Sequence, residues 1–238
     1  MDTRILKICY EKLVKFCVIN GFTLIGNNTL KKYGMRSNIV YSTSDNFVGI
    51  PVYPENMPLL IENGVWEKLI LINNELMKEH GKRLVIYDAF RPREVQEIFW
   101  DIYYAEHGRH DETLVANPKK RGTHNITINA IDMILENVDG SPVELPSNFD
   151  DMSEKANIYY DGCSEEAKKN RDLLINIARK YGLIVNEDEW WHFIDERILK
   201  YGMRGNYSKT KLVPKMERKV FKLPRENKVK RLVRKLFT

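Results

Sequence analysis

The amino-acid sequence predicts an α+β chain: a small antiparallel sheet flanked by helices, with an added N-terminal helix and a basic C-terminal extension. Three observations carry that expectation. Several stretches repeat apolar residues at helical spacing; several short β-branched or aromatic runs lie among them without regular strand–helix alternation; and no stretch repeats another. With 238 residues, 43% of them hydrophobic, and four Trp, twelve Tyr and nine Phe, the chain can build one large domain with a substantial core.

The elements follow in order. Ile5, Leu6, Ile8, Cys9, Leu13, Phe16 and Cys17 recur at near-helical spacing, which predicts a helix over residues 4–19 ending before Gly21. The polar stretch "GNNTLKKYGMRSN" reads as turns, and "IVYSTSDNFVGIPVY" as strand, turn and strand. A broad apolar face of Trp66, Leu69, Ile70, Ile72, Leu76 and Met77 predicts a helix in "NGVWEKLILINNELMKEHGK". "RLVIYDAF" is a buried strand, and Pro92 is suited to the first position of the helix "PREVQEIFWDIYYAEHG". "NAIDMIL" is a further strand, and "DGSPVELP" a turn and loop. Ser164 caps the helix "EEAKKNRDLLINIARKYG", and "LIVN" is a strand leading into "NEDEWWHF".

Charge divides the chain. From Arg197 to Thr238 there are fifteen Lys/Arg and two acids, so a basic tail follows an acidic body. The three cysteines, Cys9, Cys17 and Cys163, match no metal-binding spacing and are expected as reduced, buried thiols. Lys7, Glu11, Lys12 and Lys15 interrupt the N-terminal apolar run, unlike a signal peptide. No stretch approaches the roughly 18 apolar residues of a membrane span, so the cytoplasm is the expected location.

Of five histidines, His80, His107 and His110 keep charged company and read as surface residues. His124 and His192 do not. His124 precedes Asp132 by eight residues, and Asp132 lies in an apolar run where a carboxylate needs a partner: an arginine, backbone N–H groups or a metal ion. Two imidazoles and one carboxylate form a three-ligand set for catalytic zinc, which leaves a position for water. Glu189, three residues before His192, is spaced to accept that water's proton, with Trp190 and Trp191 forming a dry wall. The competing reading of the same residues is a core histidine hydrogen-bonded to a buried acid. Arg91 sits where a buried strand gives way to a helix, a position equally suited to a local ion pair.

"TSDNFVGIPVY", "YDAFRP", "HN…AID", "DGSPVELPSNFDDM" and "EWWHF", in this order, closely resemble the VanX-type D-alanyl-D-alanine dipeptidases, which are zinc enzymes. The resemblance runs from about Ser37 to Phe193. It implies one zinc per chain held by His124, Asp132 and His192, with Glu189 as general base. It also implies that Arg91 steadies the oxyanion on the scissile carbonyl and that Asp150 binds the free amino group of a small dipeptide. Tyr41, Asp45 and Asn46 match the N-terminal signature without an assigned chemistry. Residues 1–30 then form a helical extension, 31–200 the catalytic domain and 201–238 the basic tail.

One departure stands out. Gly122 and Thr127 occupy positions where the family pattern has serine and glycine, and Asp132 is eight rather than seven residues beyond His124. A β-branched residue does not easily replace glycine at positive φ, so this turn must differ, with Asn125 or Asn129 suited to absorb the extra residue. The competing expectation is a non-catalytic protein that binds a peptide or a membrane partner on the same fold. A D,D-carboxypeptidase or another cell-wall peptide hydrolase is the nearer alternative.

In the tail, Val229, Leu232, Val233, Leu236 and Phe237 fall on one helical face with bases around them, a pattern suited to an anionic membrane surface through residues 225–238 at the inner side of the membrane. Packing on the acidic body or a solvated tail are the alternatives. Nucleic acid ranks lower, since no readout motif or interleaved aromatic accompanies the charge.

Overall fold

The computed structural model describes residues 5–112, 114–118, 130–197 and 213–224. It is an α+β fold. The elements are β1 (Lys7–Ile8), α1 (Tyr10–Asn20), β2 (Phe22–Ile25), α2 (Asn27–Lys32), β3 (Arg36–Ser37), β4 (Leu59–Glu62), α3 (Asn63–His80) and β5 (Lys82–Asp88). They continue with α4 (Arg93–His107), β6 (Ala130–Asn137), α5 (Glu165–Lys180), β7 (Leu183–Asn186), β8 (Glu189–Asp195), α6 (Val213–Val220) and β9 (Phe221–Lys222).

The central sheet has five strands in the order β3-β5-β6-β8-β7, antiparallel throughout except for the parallel pair β3-β5. One face is the main core. Leu84, Ile86, Ile131, Met133, Leu135, Leu183, Val185 and Phe193 point there and meet Trp66, Leu69, Ile72 and Leu76 of α3 and Leu174, Ile177 and Ala178 of α5. The period of two along β6 therefore sends Asp132 and Ile134 to the opposite face, and Ile134 packs there against Trp190 and Trp191.

Helix ends follow the expected chemistry. Gly21, Gly81 and Gly108 close α1, α3 and α4 in left-handed conformation, and Ser164 caps α5 by accepting from the Ala167 N–H. Pro92 is the N-cap of α4 rather than its first residue. Inside the core, Asn73 of α3 accepts from the Leu84 N–H at 2.8 Å and donates to the Tyr33 carbonyl at 2.8 Å, so a buried amide ties α3 to β5 and to the turn after α2.

Four further expectations require correction. The first helix begins at Tyr10, not near residue 4, because Lys7 and Ile8 pair with Lys222 and Phe221 as strands. The turn-rich stretch contains α2. "IVYSTSDNFVGIPVY" forms a single turn of 3-10 helix at Val40–Ser42 followed by a loop rather than two strands. Asn46 organises that loop: its amide donates to the Thr43 and Ile50 carbonyls, and its oxygen accepts from the Val48 N–H. All three cysteines are free, but only Cys17 is buried. His80, His107 and His110 are exposed, as expected.

Among the described residues, no helix is long and apolar enough to cross a membrane. His124, with the altered turn around it, and the amphipathic segment 225–238 lie outside the described residues.

Candidate active site

The site lies on the sheet face opposite the main core, at one end of the three central strands. Asp88 of β5 pairs in register with Asp132 of β6, and Asp132 pairs with His192 of β8, so three side chains stand in a row on adjacent strands. Simple alternation would send Asp88 to the core beside Leu84 and Ile86. A register shift between Ile86 and Asp88 turns it to the site face instead.

Asp132 and His192 are 2% and 5% exposed, and Asp132 Oδ1 lies 2.7 Å from His192 Nδ1. Glu189 Oε2 lies 3.7 Å from the same nitrogen and accepts from Asn186 Nδ2 at 3.3 Å. A second register irregularity, between Val185 and Asn186 in the β7–β8 hairpin, adjoins Glu189. Trp190 and Trp191 are both buried; the Trp190 indole N–H donates to Ser147 Oγ, and Trp191 meets Phe149 edge-on. The two indoles also meet each other edge-on, and they pack with Ile134, Leu145 and Ile158 beside the strand that carries Glu189 and His192.

Arg91 leaves β5 three residues after Asp88 and spreads its fork across the site. Its Nε donates to Asp88 Oδ2 at 2.9 Å, Nη1 to Gln96 Oε1 at 3.0 Å, and Nη2 lies 3.5 Å from both Asp132 Oδ2 and the Tyr41 hydroxyl. The guanidinium also sits over the Phe99 ring at 4.8 Å and the Tyr41 ring at 5.2 Å. The Tyr41 hydroxyl in turn donates to Asp150 Oδ2 at 2.7 Å. Asp150 has φ of 60°, the sole non-glycine residue with positive φ among the described residues. Aspartate tolerates that left-handed geometry better than most side chains, and here it turns the carboxylate towards Tyr41.

The electrostatics follow from this crowding. Burial raises the Asp88 carboxyl, partly offset by Arg91 and reinforced by Asp132. Burial pushes Asp150 up to about 8 despite the Tyr41 hydrogen bond and Arg91. Glu189 is also raised by burial, with His192 opposing and Asp132 adding to the rise. Burial alone would lower His192, but the Asp132 carboxylate beside it carries it above the ordinary imidazole value. Burial opposes charge on Arg91 too, yet Tyr41 and Asp88 hold it well above its usual range, so it remains a cation.

The family model described as D-ala-D-ala dipeptidase matches residues 30–214, more than three quarters of the chain. The chain belongs to the D-Ala-D-Ala dipeptidase family. It is 31% identical over 159 residues to the D-alanyl-D-alanine dipeptidase of Escherichia coli K12, covering 67% of this chain and 78% of that protein. It is 27% identical over 187 residues to the Enterococcus faecium protein of the same name, covering 73% and 91%. The corresponding protein of Enterococcus faecalis V583 is 26% identical over 196 residues, covering 74% and 93%.

Within this D-Ala-D-Ala dipeptidase fold, Arg91, Asp132, Asp150, Glu189 and His192 come together. Among the described residues, no group of three His, Cys, Asp or Glu is arranged to hold a metal ion; Asp132 and His192 are two donors facing one another, and His124 lies outside the described residues. The chemistry of the donors is compatible with a dication: Asp88, Asp132, Asp150 and Glu189 gather around Arg91, and a bound cation would favour the ionised forms of the carboxyls that burial raises.

Asp88, Tyr53 and Gln96 were not singled out by sequence reasoning. The Tyr53 hydroxyl donates to Asp88 Oδ1 at 3.2 Å, and Gln96 bridges Arg91 to the Ala116 carbonyl. Like Asp132, Asp88 in "RLVIYDAF" is an acid in an apolar run, with Arg91 three residues on as its partner.

Proposed function

We propose that the chain is a zinc dipeptidase that hydrolyses D-alanyl-D-alanine or a similar small dipeptide, with one zinc held by His124, Asp132 and His192. The observation that carries the reading is the row Asp88, Asp132 and His192, flanked by Glu189 on one side and the Arg91 fork on the other. A zinc ion held by these residues would supply a Lewis acid able to activate water and to polarise a carbonyl.

The chain's own groups supply the rest. Glu189, its carboxyl raised by burial, takes the proton of the attacking water and later hands it to the leaving amine. Arg91 donates to the oxyanion that develops on the carbonyl; its guanidinium is held from four sides, so little reorganisation is needed. His192 is oriented by Asp132. Asp150, its carboxyl pushed up to about 8 by burial, gives up its proton as the ammonium group of the dipeptide pairs with it.

This last role separates a dipeptidase from a carboxypeptidase acting on longer peptides. Steady-state assays with D-Ala-D-Ala and its N-acetyl derivative test it directly. The native chain is expected to prefer the free amine. Asp150→Asn is expected to raise KM for the free dipeptide about tenfold to a hundredfold, the range for losing one charge-assisted contact, with little effect on the acetylated one. Equal turnover of both substrates by the native chain would replace the dipeptidase reading with the carboxypeptidase one.

A further inference from the structure

The first and last described strands meet beside the segment that leads to Arg91. β1 pairs with β9, Lys7 opposite Lys222 and Ile8 opposite Phe221, and the Cys9 N–H donates to the Val220 carbonyl at 2.8 Å. Leu6, Leu13, Phe16, Val220 and Phe221 are buried together, with Phe90, the residue before Arg91, between Phe16 and Phe221 at ring distances of 5.4 and 5.8 Å. β1 and α1 precede the segment 30–214 matched by the family, and nearly all of α6 and all of β9 follow it. This terminal unit thus lies largely outside the matched segment and packs against the residue that precedes Arg91.

One of its contacts towards the site is made by Glu217, on α6. A helix leaves its first N–H groups without intrahelical partners, and a side chain at the N-cap normally accepts from them. The N-cap of α4 is Pro92, which makes no such bond. Glu217, 124 residues away and 2% exposed, accepts from the Arg93 N–H at 2.7 Å instead.

The first turn of α4 then radiates contacts into the site. The Arg93 guanidinium donates to the Pro118 carbonyl, and Gln96 donates to the Ala116 carbonyl at 2.9 Å while accepting from Arg91 Nη1. On the other side, the Leu6 N–H donates to the Val52 carbonyl at 2.9 Å. The next residue, Tyr53, holds Asp88, the partner of Arg91.

We propose that Glu217 is a positioning residue for hydrolysis: by capping α4 two residues beyond Arg91, it fixes where the guanidinium meets the oxyanion. The inference rests on the role proposed for Arg91. The placement is a poor one for stability alone. Burial pushes the Glu217 carboxyl up to about 7, with Glu94 and Glu97 adding to the rise and Arg93 only partly offsetting it. Arg218, next to Glu217, acts on Glu94.

The test is steady-state kinetics on the full zinc-loaded chain with Glu217→Gln, Glu217→Asp and Glu217→Ala, each alone and combined with Arg91→Ala. Thermal unfolding checks that every variant is folded at the assay temperature. Glu217→Gln keeps an acceptor at the same reach and is expected to keep kcat close to the native value. Glu217→Asp withdraws the oxygen and Glu217→Ala removes it; both are expected to lower kcat about tenfold to a hundredfold with KM unchanged, the scale for misplacing a group by about 1 Å.

In the Arg91→Ala background neither change should lower the residual rate further. If Glu217→Ala does not fold, the Asp and Gln variants decide the matter. Native kcat in Glu217→Asp, or the same loss with and without Arg91, would overturn the inference. Native kcat in Arg91→Ala alone would overturn the role of Arg91 itself.

Discussion

Glu189→Ala is expected to abolish turnover of D-Ala-D-Ala, by about a thousandfold or more, while zinc content stays at one per chain. General acid–base groups contribute typically about 10² to 10⁴ in rate, and here one carboxylate serves both halves of the reaction. Its surroundings suit that double duty. Burial raises the carboxyl, which favours taking up a proton, and the Asn186 amide donates to it at 3.3 Å. Its oxygen is 3.7 Å from His192, close enough to share a water but separate from the 2.7 Å contact between Asp132 and His192. Loss of zinc along with activity would make Glu189 a ligand; undiminished turnover would remove it from the mechanism.

Arg91→Ala is expected to lower kcat about a hundredfold to a thousandfold, the range for removing one oxyanion donor, and to lower stability as well. Asp88 is 2% exposed and its principal cation is Arg91. Breaking a buried pair from one side costs about 3–5 kcal/mol, less whatever the Tyr53 hydroxyl and Ala89 N–H recover by holding Asp88. Asp88 would then protonate more readily, so the stability deficit should shrink at acid pH, where a neutral carboxyl is tolerated. Arg91→Lys is not expected to restore the rate. Three nitrogens of one planar fork reach Asp88, Gln96 and the Tyr41–Asp132 side together, and a single ammonium cannot. Parallel measurements of kcat, KM and thermal unfolding for the three proteins check both effects. A native kcat in Arg91→Ala would show that its task is only to neutralise Asp88.

The sequence made the long local elements legible. α3, α4 and α5 carry full helical periodicity, and β5 and β6 are apolar runs bounded by clear breaks, so their positions follow from short-range pattern alone. β1 was not legible, because Lys7 and Ile8 are extended only through their pairing with Phe221 and Lys222 at the far end of the chain. The loop after Val40 misled through its β-branched and aromatic residues. Those side chains instead pack Tyr41, Phe47 and Phe99 together while Asn46 takes up the backbone groups.

At the site the same division holds. Asp132 and His192 were legible because a polar group in an apolar run must find a partner. Asp88 satisfied the same test, but the strand bulge that turns it towards Arg91 has no local sequence signal. Glu217 was hidden for a further reason: a cap supplied from a distant helix leaves no motif around the helix it serves.

The central claim is that the chain closes a zinc site despite the extra residue between His124 and Asp132. Elemental analysis of the purified protein, native and His124→Ala side by side, tests it most directly. The account predicts about one zinc per native chain, the stoichiometry of a single three-ligand site, and loss of that zinc in the variant. No zinc in either protein, even after incubation with the metal, would contradict it and leave a peptide- or membrane-binding role on the same fold.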